Sequence, residues 1–337
     1  MKGKRVLVTG ASGFIGSFLV EEALKREMWT WAAIRETSSF RFLKDERAIF
    51  SVMDLNNKWV LKDQLALHRQ LHSGWDYVIH CAGVTKCLHP SGFEKGNYQA
   101  TVNLVETLKE LDIVPKRFIY ISSLSVFGPI HEDDYAPICE TDEPQPDTQY
   151  GESKLKTERY LKSLKDFPYV IIRPTGVYGP RERDYFLMAK SVKQHVDFMA
   201  GFKRQDLTFI YVKDLVQAIF LATKPEALRR EYFVSDGQVY ESSTFADLIR
   251  KELGNPWMIR IKCPLWLLKC ISIVAETVAG WMGKTSTLNR DKYRIMKQRN
   301  WQCDSSPIVN ELGFQPEYLL ERGVKETIAW YKEEEWL

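Results

Sequence analysis

Along the first 175 residues, short apolar runs alternate with stretches in which apolar positions recur every three or four residues. The runs are Arg5–Val8, Trp31–Ile34, Ile49–Val52, Tyr77–His80, Phe118–Ile121 and Tyr169–Ile172. Helical patterns lie between most of them, at Phe14–Arg26, Trp59–Leu71, Ser91–Leu111 and Gly151–Leu164. Short runs rich in Val and Ile suit strands covered on both faces. Their alternation with helices predicts an α/β fold on a doubly wound parallel sheet. After Pro174 the regularity breaks. A strand is expected at Arg204–Val212, a helix at Lys213–Ala222 and a strand at Glu231–Val234. The remainder reads as helices at Ser243–Leu253, Leu265–Met282, Leu288–Gln298, Pro307–Leu312 and Glu321–Glu334. Ser242-Ser243-Thr244 and Asp304-Ser305-Ser306-Pro307 offer capping chemistry for two of these.

Composition narrows the class. The 337 residues are 45% apolar and carry a net charge of +3, which leaves no dominant basic face for nucleic acid. The six cysteines show neither C-x-x-C spacing nor a histidine partner at zinc spacing, so reduced thiols in a cytoplasmic protein are expected, with no metal. His68 and His72 share i, i+4 spacing with no Glu between them and read as a solvated helix face. No apolar leader precedes the first strand. The most apolar long stretch, Cys263–Gly283, is interrupted by Lys269 and Glu276 and fails as a membrane span. Its pattern favours packing in a local core, with a hydrophobic lid or an interfacial helix as the other readings.

Gly10-Ala-Ser-Gly13-Phe-Ile-Gly16 follows the first strand and opens the first helix. Glycines there let backbone N–H groups and a helix N-terminus approach a pyrophosphate, which points to a nicotinamide dinucleotide, NADP or NAD. The spacing is G-x-x-G-x-x-G. Gly10, Ser12, Gly13, Phe14, Ile15 and Gly16 are the candidate ligands of this loop. At the second strand's end stands Arg35, followed by Thr37, Ser38, Ser39 and Arg41, where an acid would otherwise take the ribose hydroxyls. A guanidinium with hydroxyls suits a 2′-phosphate, so the pattern favours NADP; Arg35 stacked on adenine or facing solvent would be compatible with NAD. Asp54 and Leu55 follow the third strand as candidates for the adenine.

Tyr150-Gly-Glu-Ser-Lys154 places a phenol and an ammonium on one helix face. A neighbouring cation favours the phenolate and fits Tyr150 for proton transfer. The fifth strand ends in Ile121-Ser122-Ser123-Leu124-Ser125, at the strand end where open α/β sheets bind ligands. A hydroxyl there can hold a substrate oxygen.

With these motifs the chain resembles the extended short-chain dehydrogenase/reductases, the NAD-dependent epimerase/dehydratase superfamily, from Lys4 to about Val234. The resemblance implies a Rossmann-like sheet and a smaller, mostly helical C-terminal substrate lobe. Residues 1–175 plus about 207–234 would bind the dinucleotide, and 176–206 with 235–337 the substrate. It implies Ser123, Tyr150, Lys154 and Asn97 as the catalytic set. Lys154 would also hold the nicotinamide ribose. His80-Cys81-Ala82-Gly83 matches the turn over the adenosine ribose, and Pro174, Thr175 and Val177 match the segment lining the nicotinamide. It implies a homodimer through the helices at Ser91–Leu111 and Gly151–Leu164.

Departures sort the reactions. Where sugar dehydratases of this family carry an Asp-Glu pair, the chain has Leu124 and Ser125, so water elimination is not expected. Leu207 stands where nucleotide-sugar enzymes carry a diphosphate-gripping Arg, although Arg181, Arg183 or Arg204 could replace it. Arg35 and the T-G-A-S-G-F-I-G form look closer to 3β-hydroxysteroid dehydrogenases and dihydroflavonol-type reductases. The leading expectation is an enzyme interconverting a secondary alcohol and a ketone on a hydrophobic small molecule. The alternatives are a nucleotide-sugar epimerase that retains NAD, and a cofactor-sensing protein without turnover.

Overall fold

The computed structural model describes residues 1–337. Along the chain it forms β1 (Arg5–Thr9), α1 (Phe14–Lys25), β2 (Trp29–Ile34), β3 (Ile49–Val52), α2 (Lys58–His72) and β4 (Tyr77–His80). A helical turn α3 (Ser91–Phe93) runs through a π-helical turn (Glu94–Gln99) into α4 (Ala100–Glu110). Then come β5 (Arg117–Ile121), α5 (Gln149–Ser163), β6 (Tyr169–Pro174), β7 (Gly176–Tyr178), α6 (Asp184–Lys193), β8 (Val196–Ala200), β9 (Asp206–Leu207) and β10 (Phe209–Tyr211). The chain continues with α7 (Val212–Leu221), β11 (Glu231–Val234), β12 (Tyr240–Glu241), α8 (Thr244–Glu252) and β13 (Ile259–Cys263). It ends in α9 (Leu265–Trp281), α10 (Arg290–Lys297), α11 (Ser306–Leu312) and α12 (Leu320–Glu333).

Seven strands make the central sheet in the order β11-β6-β5-β4-β1-β2-β3. The pairs from β6 to β3 are parallel. This is the doubly wound arrangement expected from the alternation, and its order reverses between β1 and β4, where such sheets bind ligands. All six residues of β6 are buried, as a central parallel strand requires.

The chain divides into two compact units. The first comprises Met1–Ser123, Glu152–Arg173 and Val216–Tyr232. Its core packs Leu7, Val78, Leu104, Leu108, Phe118 and Ile171 around the sheet. A buried ion pair crosses it: Arg173 donates to both oxygens of Glu158, at 3.0 and 2.6 Å, and also pairs with Glu231. Ser122 Oγ donates to the same Glu158 at 2.5 Å. The second unit comprises Leu124–Gly151, Pro174–Leu215 and Phe233–Leu337. Aromatic rings fill its core, with Tyr178, Phe209, Tyr211, Phe245 and Tyr331 all buried.

Several expectations change. The segment 91–111 is not one α-helix, because the π-helical turn inserts an extra residue per turn around Asn97. His68 is buried rather than solvated. Its ring stacks on Trp75 with centroids 3.7 Å apart, since α2 turns that side toward the core. Ser243 and Ser305 stand at helix starts but do not cap them. Ser305 Oγ bonds Ser235 Oγ at 3.0 Å, and the Asp304 carboxylate takes the Ser306 N–H at 2.9 Å. The strand read at 204–212 is two short strands in different ribbons, because β9 pairs with β12 and β10 with β7. Strands β7, β8, β12 and β13 and helix α6 were not anticipated. Helix α9 does not enter a local core, burying only Leu268, Ser272 and Ala279. No helix is long and apolar enough to cross a membrane.

Removing one member of a buried ion pair leaves its partner charged in a poor solvent, at a cost of about 3–5 kcal/mol. Arg173→Met should therefore lower the unfolding free energy by about that much in urea titrations. A loss below about 1 kcal/mol would show that Glu158 is not held as a buried carboxylate.

Candidate active site

The loop between β1 and α1 is shaped by close approach. Gly10 has φ of +68°, and a Cβ there would stand 2.8 Å from the Ala82 backbone. A Cβ on Gly16 would overlap the Gly10 carbonyl oxygen. Gly13 is the N-cap of α1, whose start has neither a side-chain cap nor an acidic residue in its first turn. Phe14 and Ile15 follow it, half-buried. The loop is tied to β2 by the Ala11 N–H on Ala33 O at 3.3 Å. Ser12 Oγ donates to Ser38 Oγ at 3.2 Å, and Ser38 Oγ accepts the Arg35 N–H at 2.9 Å. Arg35, Thr37, Ser39 and Arg41 are exposed beyond β2. The arrangement suits an anionic dinucleotide: glycines where a Cβ would intrude, an uncapped helix start and an exposed guanidinium.

Asp54 and Leu55 sit one strand further out. The Asp54 carboxylate accepts the Asn56 N–H at 3.0 Å, and Asn103 Nδ2 holds the Leu55 carbonyl at 2.9 Å. Asn57 caps α2, so Asp54 is exposed without serving as a helix cap.

The end of β4 is fixed by a chain of hydrogen bonds that sequence reasoning missed. The Ala82 N–H donates to Thr9 Oγ1 at 3.2 Å, leaving Thr9 to donate to His80 Nδ1 at 2.7 Å. His80 Nε2–H then donates to Thr101 Oγ1 at 2.9 Å, and Thr101 donates to the Asn97 carbonyl at 2.7 Å. One neutral tautomer satisfies every bond. Burial holds the His80 pKa far down, at about 3, with the Lys154 charge adding to it. The chain ties β1, β4 and the π-helical turn together.

Asn97 is thereby placed, and its amide is fully used. Its Oδ1 accepts the Val84 N–H at 2.7 Å, and its Nδ2 donates to Val84 O at 3.1 Å and to Ser153 Oγ at 2.9 Å. A Cβ on Gly83 would stand 2.9 Å from Asn97 Oδ1 and 3.4 Å from Lys154 Nζ, so Gly83, Asn97 and Lys154 converge. Lys154 is 5% exposed and donates from Nζ to Ile121 O at 2.7 Å, with Nζ 4.8 Å from the Tyr120 ring centroid. Burial pushes its pKa down to about 8, while the nearby Cys81 and Glu158 act in the other direction. Cys81 itself is pushed up to about 11 by burial and is a neutral thiol.

The two serines after β5 differ. Ser122 is buried and committed to Glu158, whereas Ser123 is half-exposed. Tyr150, also half-exposed, lies four residues before Lys154 on α5. The start of that helix is held by two acceptors that carried no sequence signal. Asp291 Oδ2 takes the Tyr150 N–H at 3.3 Å, and Thr148 Oγ1 takes the Gly151 N–H at 3.0 Å. Pro174 is buried at the end of β6, Thr175 donates its N–H to Val234 O at 3.2 Å, and Val177 pairs with Ile210 across β7 and β10. Pro174, Thr175, Val177 and Tyr150 belong to the second unit, the other candidate catalytic and cofactor-binding residues to the first. The one signal that could have found Glu158 is its i, i+4 spacing from Lys154.

A sequence model of the NAD dependent epimerase/dehydratase family matches residues 6–234. The chain is similar to a UDP-glucose 4-epimerase of Vibrio cholerae, 28% identical over 96% of this chain and 94% of that protein. It is also similar to a decarboxylating sterol-4-alpha-carboxylate 3-dehydrogenase of Schizosaccharomyces pombe, 24% identical over 96% of each. Among solved structures, a UDP-glucose 4-epimerase of Thermotoga maritima with UDP-glucose superposes with a TM-score of 0.78, at 20% identity, over 98% of this chain and 99% of that one.

His80 stays neutral in the native state, whereas an unfolded histidine takes a proton below about pH 6.5. The unfolded state then binds more protons, so stability is lost as pH falls from 6.5 toward 3. Between pH 7 and 5, wild type should lose about 2 kcal/mol more than His80→Gln in urea titrations. Equal losses would mean that His80 protonates without unfolding.

Proposed function

The chain belongs to the NAD dependent epimerase/dehydratase family, within the extended short-chain dehydrogenase/reductases, and from that premise we propose that it interconverts a secondary alcohol and a ketone on a hydrophobic, steroid-like or flavonoid-like substrate with NADP(H). The observation that carries this reading is Lys154: a buried cation fixed on Ile121 O, one helical turn after Tyr150.

When bound, the cofactor supplies or takes up the hydride. Residues 1–175 with 207–234 hold it in this reading, and 176–206 with 235–337 shape the substrate site. Gly10 to Gly16 would cradle the pyrophosphate, Arg35 would meet the 2′-phosphate, and Asp54 and Leu55 would meet the adenine. Cys81, Ala82 and Gly83 would line the adenosine ribose, Lys154 would hold the nicotinamide ribose, and Pro174, Thr175 and Val177 would flank the ring. Tyr150 Oη gives a proton to the carbonyl oxygen in reduction and takes it back in oxidation. Lys154 favours the phenolate through its charge. Ser123 Oγ donates a hydrogen bond to the same substrate oxygen. Asn97 acts as a positioning residue, since its amide is spent on Val84 and Ser153.

Two features support a substrate without a diphosphate. Leu207 stands where the resemblance expects a gripping arginine, and Arg204, one of the three arginines that could replace it, is bound to both oxygens of Asp206 at 2.6 Å. Buried Leu124 and uncharged Ser125 offer no acid for dehydration. A second reading, nucleotide-sugar epimerisation with retained NAD, is favoured by the similarity to the Vibrio protein over nearly its whole length.

Tyr150→Phe should lower turnover of a responsive ketone at least about 100-fold with cofactor binding retained. Unchanged turnover would remove Tyr150 from the mechanism. Calorimetric titration of stripped protein should show NADP(H) binding more tightly than NAD(H), and Arg35→Ala should erase the difference. A preference for NAD(H), or a cofactor that resists stripping, would demote Arg35 and bring the epimerase reading forward.

A further inference from the structure

Helix α9 inverts the pattern of a surface helix. Its covered side is Leu268, Ser272 and Ala279. Its open side carries Trp266, Leu267, Ile271, Val274, Val278 and Trp281. At 100° per residue the two charges, Lys269 and Glu276, fall together on one flank and leave the open side uncharged. Trp266, Val274 and Trp281 are 69, 61 and 84% exposed. The two tryptophans are about 22 Å apart along the axis, too short a span to cross a bilayer.

Exposed apolar side chains continue past the helix start. Strand β13 leads into α9 through Pro264, and β8 pairs with it in register Phe198 to Ile261. Both of those residues are exposed, while the other face of the ribbon is tied down by Arg260 on buried Asp197 at 2.7 Å. Gly201 packs on Leu265, which sets exposed Phe202 beside the start of α9.

The rim is basic. Apart from Arg260, which is paired with Asp197 and Asp247 on the ribbon's other face, residues 256–284 contain Lys262, Lys269 and Lys284 against a single acid, Glu276. That acid is bound by the Arg290 N–H at 3.1 Å and by its guanidinium. Exposed Lys203 follows Phe202. A second copy placed face to face would set lysine rim against lysine rim, which opposes an isologous contact. Tryptophan, branched aliphatics and lysines around an uncharged face are what the boundary of an anionic bilayer accepts.

We propose that the open face of α9, with Phe202 and the β8–β13 ribbon, docks this protein on the surface of an anionic lipid bilayer. Helix α9 lies in the plane of the membrane with its tryptophans at headgroup depth. The docked element is linked to the proposed catalytic helix: Glu276 holds Arg290, and Asp291 takes the Tyr150 N–H. Docking requires nothing of the reaction and is tested apart from it.

The full-length protein is floated with phosphatidylcholine vesicles, with and without phosphatidylglycerol, while tryptophan emission is followed. Flotation with the anionic vesicles, a blue shift, and release at high salt are expected. The double substitution Trp266→Ser with Trp281→Ser should weaken partitioning roughly tenfold or more while leaving cofactor binding intact. Failure to float with either vesicle would overturn the proposal. So would a dimer in sedimentation that the same substitutions dissociate, because a second copy would then be the occupant.

Discussion

An ammonium at 5% exposure is tolerated only where fixed dipoles replace its water, and the first unit is organised around meeting that condition at Lys154. The Ile121 carbonyl and the Tyr120 ring face supply direct partners. Gly83 leaves the room that a side chain would occupy. The helix that carries the lysine has to be held as firmly as the lysine itself. Glu158, one turn further along α5, does this by pairing with Arg173 on β6 and accepting from Ser122 beside β5. Burial moves Lys154 to about 8, so its charge is retained at neutral pH while remaining sensitive to its surroundings.

Beside Glu158, the polar groups that flank that cation at the β4 end are neutral and bonded to one another. His80 relays between Thr9 and Thr101, and Asn97 clips the Val84 backbone to Ser153. The π-helical turn carries Asn97 to Val84 and Ser153, and Thr101 follows it on α4 with its hydroxyl on His80. A neutral network costs less to bury than a second ion pair would. It also fixes the β4 turn against the glycine loop through Thr9 and Ala82.

The second unit uses different physics. Its core is a cluster of stacked and edge-on aromatic rings, and its outer elements are two-stranded ribbons with little sheet of their own. Helix α9 is attached by a narrow covered stripe and turns most of its apolar surface outward. Hydropathy registers how apolar a helix is, and that quantity is the same whether the apolar side meets a protein core or stays open.

Sequence determined the parts that depend on local chemistry. Four-residue apolar runs, glycine spacing at the β1–α1 turn and Tyr150 four residues before Lys154 each have one physical solution, and the sheet, the loop and the shared helix follow from them. Tertiary structure decided everything that needs partners remote in the chain. Strands β8 and β13 exist only because they meet each other about sixty residues apart. Ser122 rather than Ser123 is consumed by Glu158, His68 is buried under Trp75, and Asp291 restrains the start of α5 from 141 residues away. A residue's type states which bonds it can make, but the folded chain alone sets which partner arrives and which face is left open to solvent.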